Sequence, residues 1–146
     1  MMKTIAFIIA IAAVCTAFGA VEAKTFTECE LAKLLRSRYN FDKNKVNNFV
    51  CMAKAESSLT TNKTNRNKNG STDYGLFQIN NNYWCSSPGH TSKNNDCKVS
   101  CSDLMTNDIT KAVTCANKVF ARHGYSAWNG WKSKCQNGVK DLSYCM

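Results

Sequence analysis

The chain has 146 residues, 19 Lys and Arg against 10 Asp and Glu, a net charge of +9 and nine cysteines. That length bounds one ordinary domain, and the basic balance points to a polyanionic partner or an anionic surface. Only four of the cations are Arg, and the Lys are spread along the chain instead of forming a stripe beside stacking aromatics, which argues against nucleic-acid binding.

Residues 1–23 read as a secretory signal peptide: Lys3, an uncharged run from Ile5 to Ala20, then small residues at Val21 and Ala23. The run is shorter than the ~20 residues that span a bilayer, so no stable membrane insertion is expected. Cys15 leaves with the signal, and a secreted domain over 24–146 keeps the even set Cys29, Cys51, Cys85, Cys97, Cys101, Cys115, Cys135 and Cys145. Outside the cell these predict four disulfides, with about 105 connectivities open to counting alone. No Cys-x2-Cys pair occurs, so a thiolate zinc site is disfavoured. Lys3 and Glu22 leave together, and the mature charge stays +9.

In chain order, Glu28–Arg38 places Cys29, Leu31, Ala32, Leu34 and Leu35 at helical spacing, with acids first and Arg last, as the helix dipole prefers. A second helix is expected to begin near Asn44 to Asn47, carry Val46, Phe49, Val50 and Ala53 on one face, and bring Glu56 to the core edge at its end. Polar residues follow to Asn69-Gly70, the dipeptide that favours a two-residue hairpin turn. The strand after it is expected over Thr72–Ile79, with Asp73, Gly75, Phe77 and Ile79 alternating against Tyr74, Leu76 and Gln78. Asn80–Cys101 reads as a long loop fixed by disulfides. Asp108 is a plausible N-cap for a helix whose face is Ile109, Ala112, Val113, Ala116, Val119 and Phe120, stopped by Gly124. Short helices or turns then carry Trp128, Trp131, Val139, Leu142 and Tyr144.

Two carboxylates stand out because their settings differ. Glu56 closes an apolar helical segment, whereas Asp73 lies among Ser71, Thr72, Gln78 and Asn80. A carboxyl in apolar surroundings keeps its proton to higher pH, and one that accepts hydrogen bonds stays ionised. Such a pair can divide a proton donor from an anion, the division that glycosidic cleavage needs. Either acid alone reads as a solvated surface charge.

The pieces CELA from Cys29, AKAESS from Ala53, TNRNKNGSTDYGLFQIN from Thr64, YWC from Tyr83, DIT from Asp108 and SAW from Ser126, with the eight cysteines, resemble the C-type lysozyme family along the whole mature chain. The resemblance implies an α+β fold. A mainly helical lobe (about 24–59 and 108–146) and a small antiparallel sheet and loop lobe (about 60–107) would enclose a cleft. It also implies a secreted, monomeric, antibacterial muramidase that needs no cofactor or metal. Its substrate would be the bond between N-acetylmuramic acid and N-acetylglucosamine in bacterial peptidoglycan.

Residue by residue, Glu56 would be the general acid against an apolar wall including Trp128, and Asp73 the nucleophile or stabiliser about 5 Å away in a retaining reaction. Asn67, Gln78, Asn80, Tyr83, Trp84, Ala127 and Trp128 would line the sugar site. The implied disulfides are Cys29–Cys145, Cys51–Cys135, Cys85–Cys101 and Cys97–Cys115. Two positions depart from the family pattern: Tyr83 stands where a tryptophan is common, and Arg122-His123-Gly124 stands where many relatives offer an acid.

Three other readings remain: a digestive role in place of defence, a non-catalytic relative and a membrane-active cation. A non-catalytic member of the superfamily would usually lack one of the acids, and this chain keeps both; its Asp103–Asp108 stretch also has too few oxygens to cage calcium. A cationic membrane-active protein without chemistry is compatible with the charge of +9.

Overall fold

The computed structural model describes residues 10–12 and 22–146. The segment read as a signal peptide lies largely outside the described residues. Helix α1, Glu28–Ser37, begins with a reciprocal capping box between Thr27 and Glu30 and buries Leu31, Ala32 and Leu35. Helix α2, Lys43–Ser57, starts slightly earlier than its apolar period suggests, because the Asp42 side chain caps the Lys45 amide. It buries Val46, Phe49, Val50, Met52 and Ala53 and stops at Ser58, which takes a left-handed conformation. Glu56 therefore sits in the last turn of the central helix, which packs against α1 on one side and α4, Asn129–Lys134, on the other.

The sheet is small and antiparallel, in the order β1 (Thr64–Arg66), β2 (Thr72–Tyr74) and β3 (Ile79–Asn80). Asp73 lies on the middle strand, paired with Asn65 on one side and Asn80 on the other. The β1–β2 connection is longer than the expected two-residue turn. Asn67 and Ser71 close it with a 2.8 Å backbone bond, and Gly70 takes φ +85° within it.

The expected strand over Thr72–Ile79 is broken, and its alternation fails. Gly75 (φ +79°) and Gln78 (φ +48°) turn the chain, and both Leu76 and Phe77 are buried. The helical lobe holds this turn. The Ser57 hydroxyl donates to Leu76 O at 2.7 Å, and the Trp128 indole N–H donates to Phe77 O at 2.8 Å. Gly75 presses against the Leu104 carbonyl with no room for a Cβ. Tertiary contacts here override the period-two pattern.

Helix α3, Thr110–His123, buries Ala112, Val113, Cys115, Ala116 and Val119 and ends at Gly124. Its N-cap position is Ile109, not Asp108; the Asp108 carboxylate instead accepts from the Thr110 amide and hydroxyl. Phe49 forms the hub of the core, edge-on to Phe41, Phe77 and Trp128, so one ring joins α2, the sheet-lobe turn and the segment before α4.

Four disulfides join Cys29 to Cys145, Cys51 to Cys135, Cys85 to Cys101 and Cys97 to Cys115, the same pairs the family resemblance implies. The first spans 116 residues of sequence, the kind of long closure that restricts an unfolded chain most in the entropy model. The last two fix the loop after β3 and tie it to α3. Among the described residues, no helix is long and apolar enough to cross a membrane.

Candidate active site

A cleft of about 590 Å³ runs between the lobes. Glu56 reaches it from α2, Asp73 from β2, Asn67 and Ser71 from the hairpin loop, and Tyr83, Trp84, Ala127 and Trp128 from the loops that flank α3. All nine expected catalytic and sugar-site positions thus line one cavity.

Asp73 is held by side-chain amides. Asn67 Nδ2 donates to Asp73 Oδ2 at 3.1 Å, and Asn80 Nδ2 donates to Oδ1 at 2.7 Å, so each carboxylate oxygen has its own donor. The two amides share a further acceptor, Ser71 Oγ, at 3.1 and 2.9 Å. Ser71 is 1% exposed, and its hydroxyl donates to Asn69 Oδ1 at 2.7 Å. The network orients Asp73 and gives each of its carboxylate oxygens a fixed donor.

Glu56 has a different environment. Burial raises its pKa above the ordinary 4.5, and the Asp73 charge adds to the rise; the 2.7 Å hydrogen bond from the Gly130 N–H opposes it, as does the charge of Lys63. Its place in the last turn of α2 also sets it at the negative end of the helix dipole. A Cβ at Gly130 would lie 2.8 Å from Glu56 Oε1 and 3.0 Å from the Ala55 Cβ, so a side chain here would displace the Glu56 carboxyl.

The sugar-site candidates divide by what their polar atoms are doing. Tyr83 is 42% exposed, with Lys93 Nζ 3.2 Å from its hydroxyl, and offers a ring at the cleft mouth. Trp84 is buried, with Arg122 over its face and His123 against its edge. Arg122 itself pairs with Asp96. Ala127 is exposed beside buried Trp128. Gln78, expected near the aspartate, is a turn brace: its amide donates to Lys63 O and Gly75 O and accepts from Asn65. Asn80 likewise commits both Nδ2 hydrogens to Ser71 and Asp73.

Sequence reasoning missed Gly130 and the central place of Ser71. Nothing in the pattern of Gly130 announces a partner 74 residues away. Ser71 lay in view beside Asp73, but only the hairpin loop reveals that its hydroxyl joins both amides.

A disulfide-stapled, two-lobed fold with a desolvated and a hydrogen-bonded carboxyl in one cleft defines a glycosidase-like scaffold. The C-type lysozyme/alpha-lactalbumin family model matches residues 24–145. The chain is 54% identical over 124 residues to the lysozyme of Bombyx mori, covering 85% of this chain and 88% of that protein. It is 50% identical over 140 residues to lysozyme c-1 of Anopheles gambiae, covering 94% of each. A crystal structure of a lysozyme from Litopenaeus vannamei aligns with TM-score 0.71 at 48% identity, covering 78% of this chain and 90% of that one. The chain belongs to the C-type lysozyme/alpha-lactalbumin family.

Proposed function

We propose that this chain is a secreted, monomeric muramidase. Residues 1–23 are removed as a signal, and the domain over 24–146 hydrolyses the glycan strands of bacterial peptidoglycan between N-acetylmuramic acid and N-acetylglucosamine. The observation that carries the reading is the contrast across one cleft, with Glu56 pushed toward its protonated form and Asp73 held by two amide donors.

Glu56 donates its proton to the glycosidic oxygen as the bond to the sugar's anomeric carbon breaks. Asp73 meets the developing positive charge on that carbon and bonds to it, the amides of Asn67 and Asn80 fixing its approach. Glu56, now ionised, takes a proton from water; the hydroxide displaces Asp73 and the sugar leaves with its original anomeric configuration. Tyr83, Trp84 and Trp128 offer aromatic faces to sugar rings. The charge of +9 draws the protein to anionic bacterial surfaces and suits a defensive role.

Turbidity clearing of purified bacterial walls by wild type beside Glu56→Gln tests substrate and mechanism together. Wild type clears the suspension and the folded variant does not. Equal clearing by both overturns the assignment of Glu56 as the acid, and killing of intact bacteria by the folded variant would favour the cationic, membrane-active reading.

A further inference from the structure

Two N-glycosylation sequons occur, Asn62-Lys63-Thr64 and Asn69-Gly70-Ser71. Asn62 is exposed in the turn before β1 and is not among the cleft residues. Asn69 is exposed in the hairpin loop and does line the cleft. Its Oδ1 accepts from the Ser71 N–H at 3.0 Å and the Ser71 hydroxyl at 2.7 Å. Its Nδ2, the atom a glycan would occupy, has no hydrogen-bond partner among the described residues and can be substituted without breaking a contact. Through Ser71 and Asn67, Asn69 also belongs to the network that holds Asp73.

We propose that Asn69 is an N-glycan acceptor and that a glycan carried there closes the cleft to polymeric substrate. The inference rests on the glycosidase reading above. In the transfer, Asn69 Nδ2 loses a proton and bonds to the anomeric carbon of an oligosaccharide, while that carbon's bond to a lipid-linked pyrophosphate breaks. No oxidation is involved. The attached sugar obstructs a cleft that a long glycan strand must lie along. The first sugars of such a glycan are N-acetylglucosamine units, the class the cleft is proposed to bind, and a short tether presents them at an effective concentration on the order of millimolar. Asn62, on its separate turn, is the internal control.

The test is to secrete the full-length chain from a glycosylating eukaryotic cell, separate its glycoforms and locate the sugar by glycopeptide mass spectrometry. The inference expects Asn69 to be occupied. It expects that form to clear walls about tenfold or more slowly than the form without it. Asn62→Gln leaves the ratio between the Asn69 glycoforms unchanged. An unoccupied Asn69, or an Asn69 glycoform as fast as the unmodified chain, overturns the inference. The unglycosylated form reports separately on the enzyme itself: if it clears no walls, the functional reading fails instead.

Discussion

The Gly130 amide donates a 2.7 Å hydrogen bond to Glu56 Oε1, joining the first turn of α4 to the last turn of α2. It fixes which way the carboxyl faces and leaves Oε2 free of this bond to carry the proton. A Cβ at residue 130 would enter the same space. Gly130→Ala is therefore expected to keep the fold and disulfides but displace Glu56 and lower kcat about tenfold to a hundredfold. Wall-clearing kinetics beside thermal melting check it: a folded variant with unchanged kcat removes Gly130 from the account.

Ser71→Ala removes the acceptor shared by Asn67 and Asn80 and leaves one N–H of each half-buried amide to find a new partner. A loss of about 1–3 kcal/mol of stability is expected, from the unpaired polar groups. A fall in kcat with little change in KM should accompany it, because the amides no longer align Asp73. A variant that loses stability alone would make Ser71 purely structural.

Much of this was legible in the sequence because the carriers are local. The face of α3, the apolar spacing of α1 and the core face of α2 that ends at Glu56 are set by neighbours a few residues away. The span after Asp73 was misread because its deciding contacts come from far off: Ser57 and Trp128 bind the carbonyls of Leu76 and Phe77, and Leu104 crowds Gly75. The bracing role of Gln78 was hidden for the same reason, since residue type told that it was polar but not that turn carbonyls already use its amide.

The raised pKa of Glu56 has two consequences of opposite use. Activity requires the proton, so it is lost as pH rises through the raised value, later than an ordinary carboxyl near 4.5 would allow. Replacing Trp128 with a small polar residue wets the site and moves that limb to lower pH. For stability, the folded state holds this proton after the unfolded chain has released it, so the Glu56 contribution declines as pH rises from the unfolded pKa through the folded one, then levels off. Glu56→Gln lacks that loss, and its melting temperature relative to wild type should increase from acid to neutral pH. A pH-independent difference would contradict the burial of this carboxyl.

Charge predicts a contrast between substrates. Clearing of anionic walls by a protein of charge +9 should fall as salt rises, while cleavage of uncharged chito-oligosaccharides responds much less. Equal salt sensitivity would remove surface attraction from the account.

The most direct test asks which atom of the protein bonds to sugar. Glu56→Gln protein, unable to hand over a proton, is incubated with a 2-fluoro chito-oligosaccharyl fluoride, whose leaving group needs no acid and whose fluorine slows hydrolysis of the adduct. Mass spectrometry of the intact protein and its peptides should find one glycosyl group attached at Asp73. Turnover with no adduct and an inverted product, or an adduct on any other residue, would contradict the assignment of Asp73 as nucleophile and Glu56 as acid.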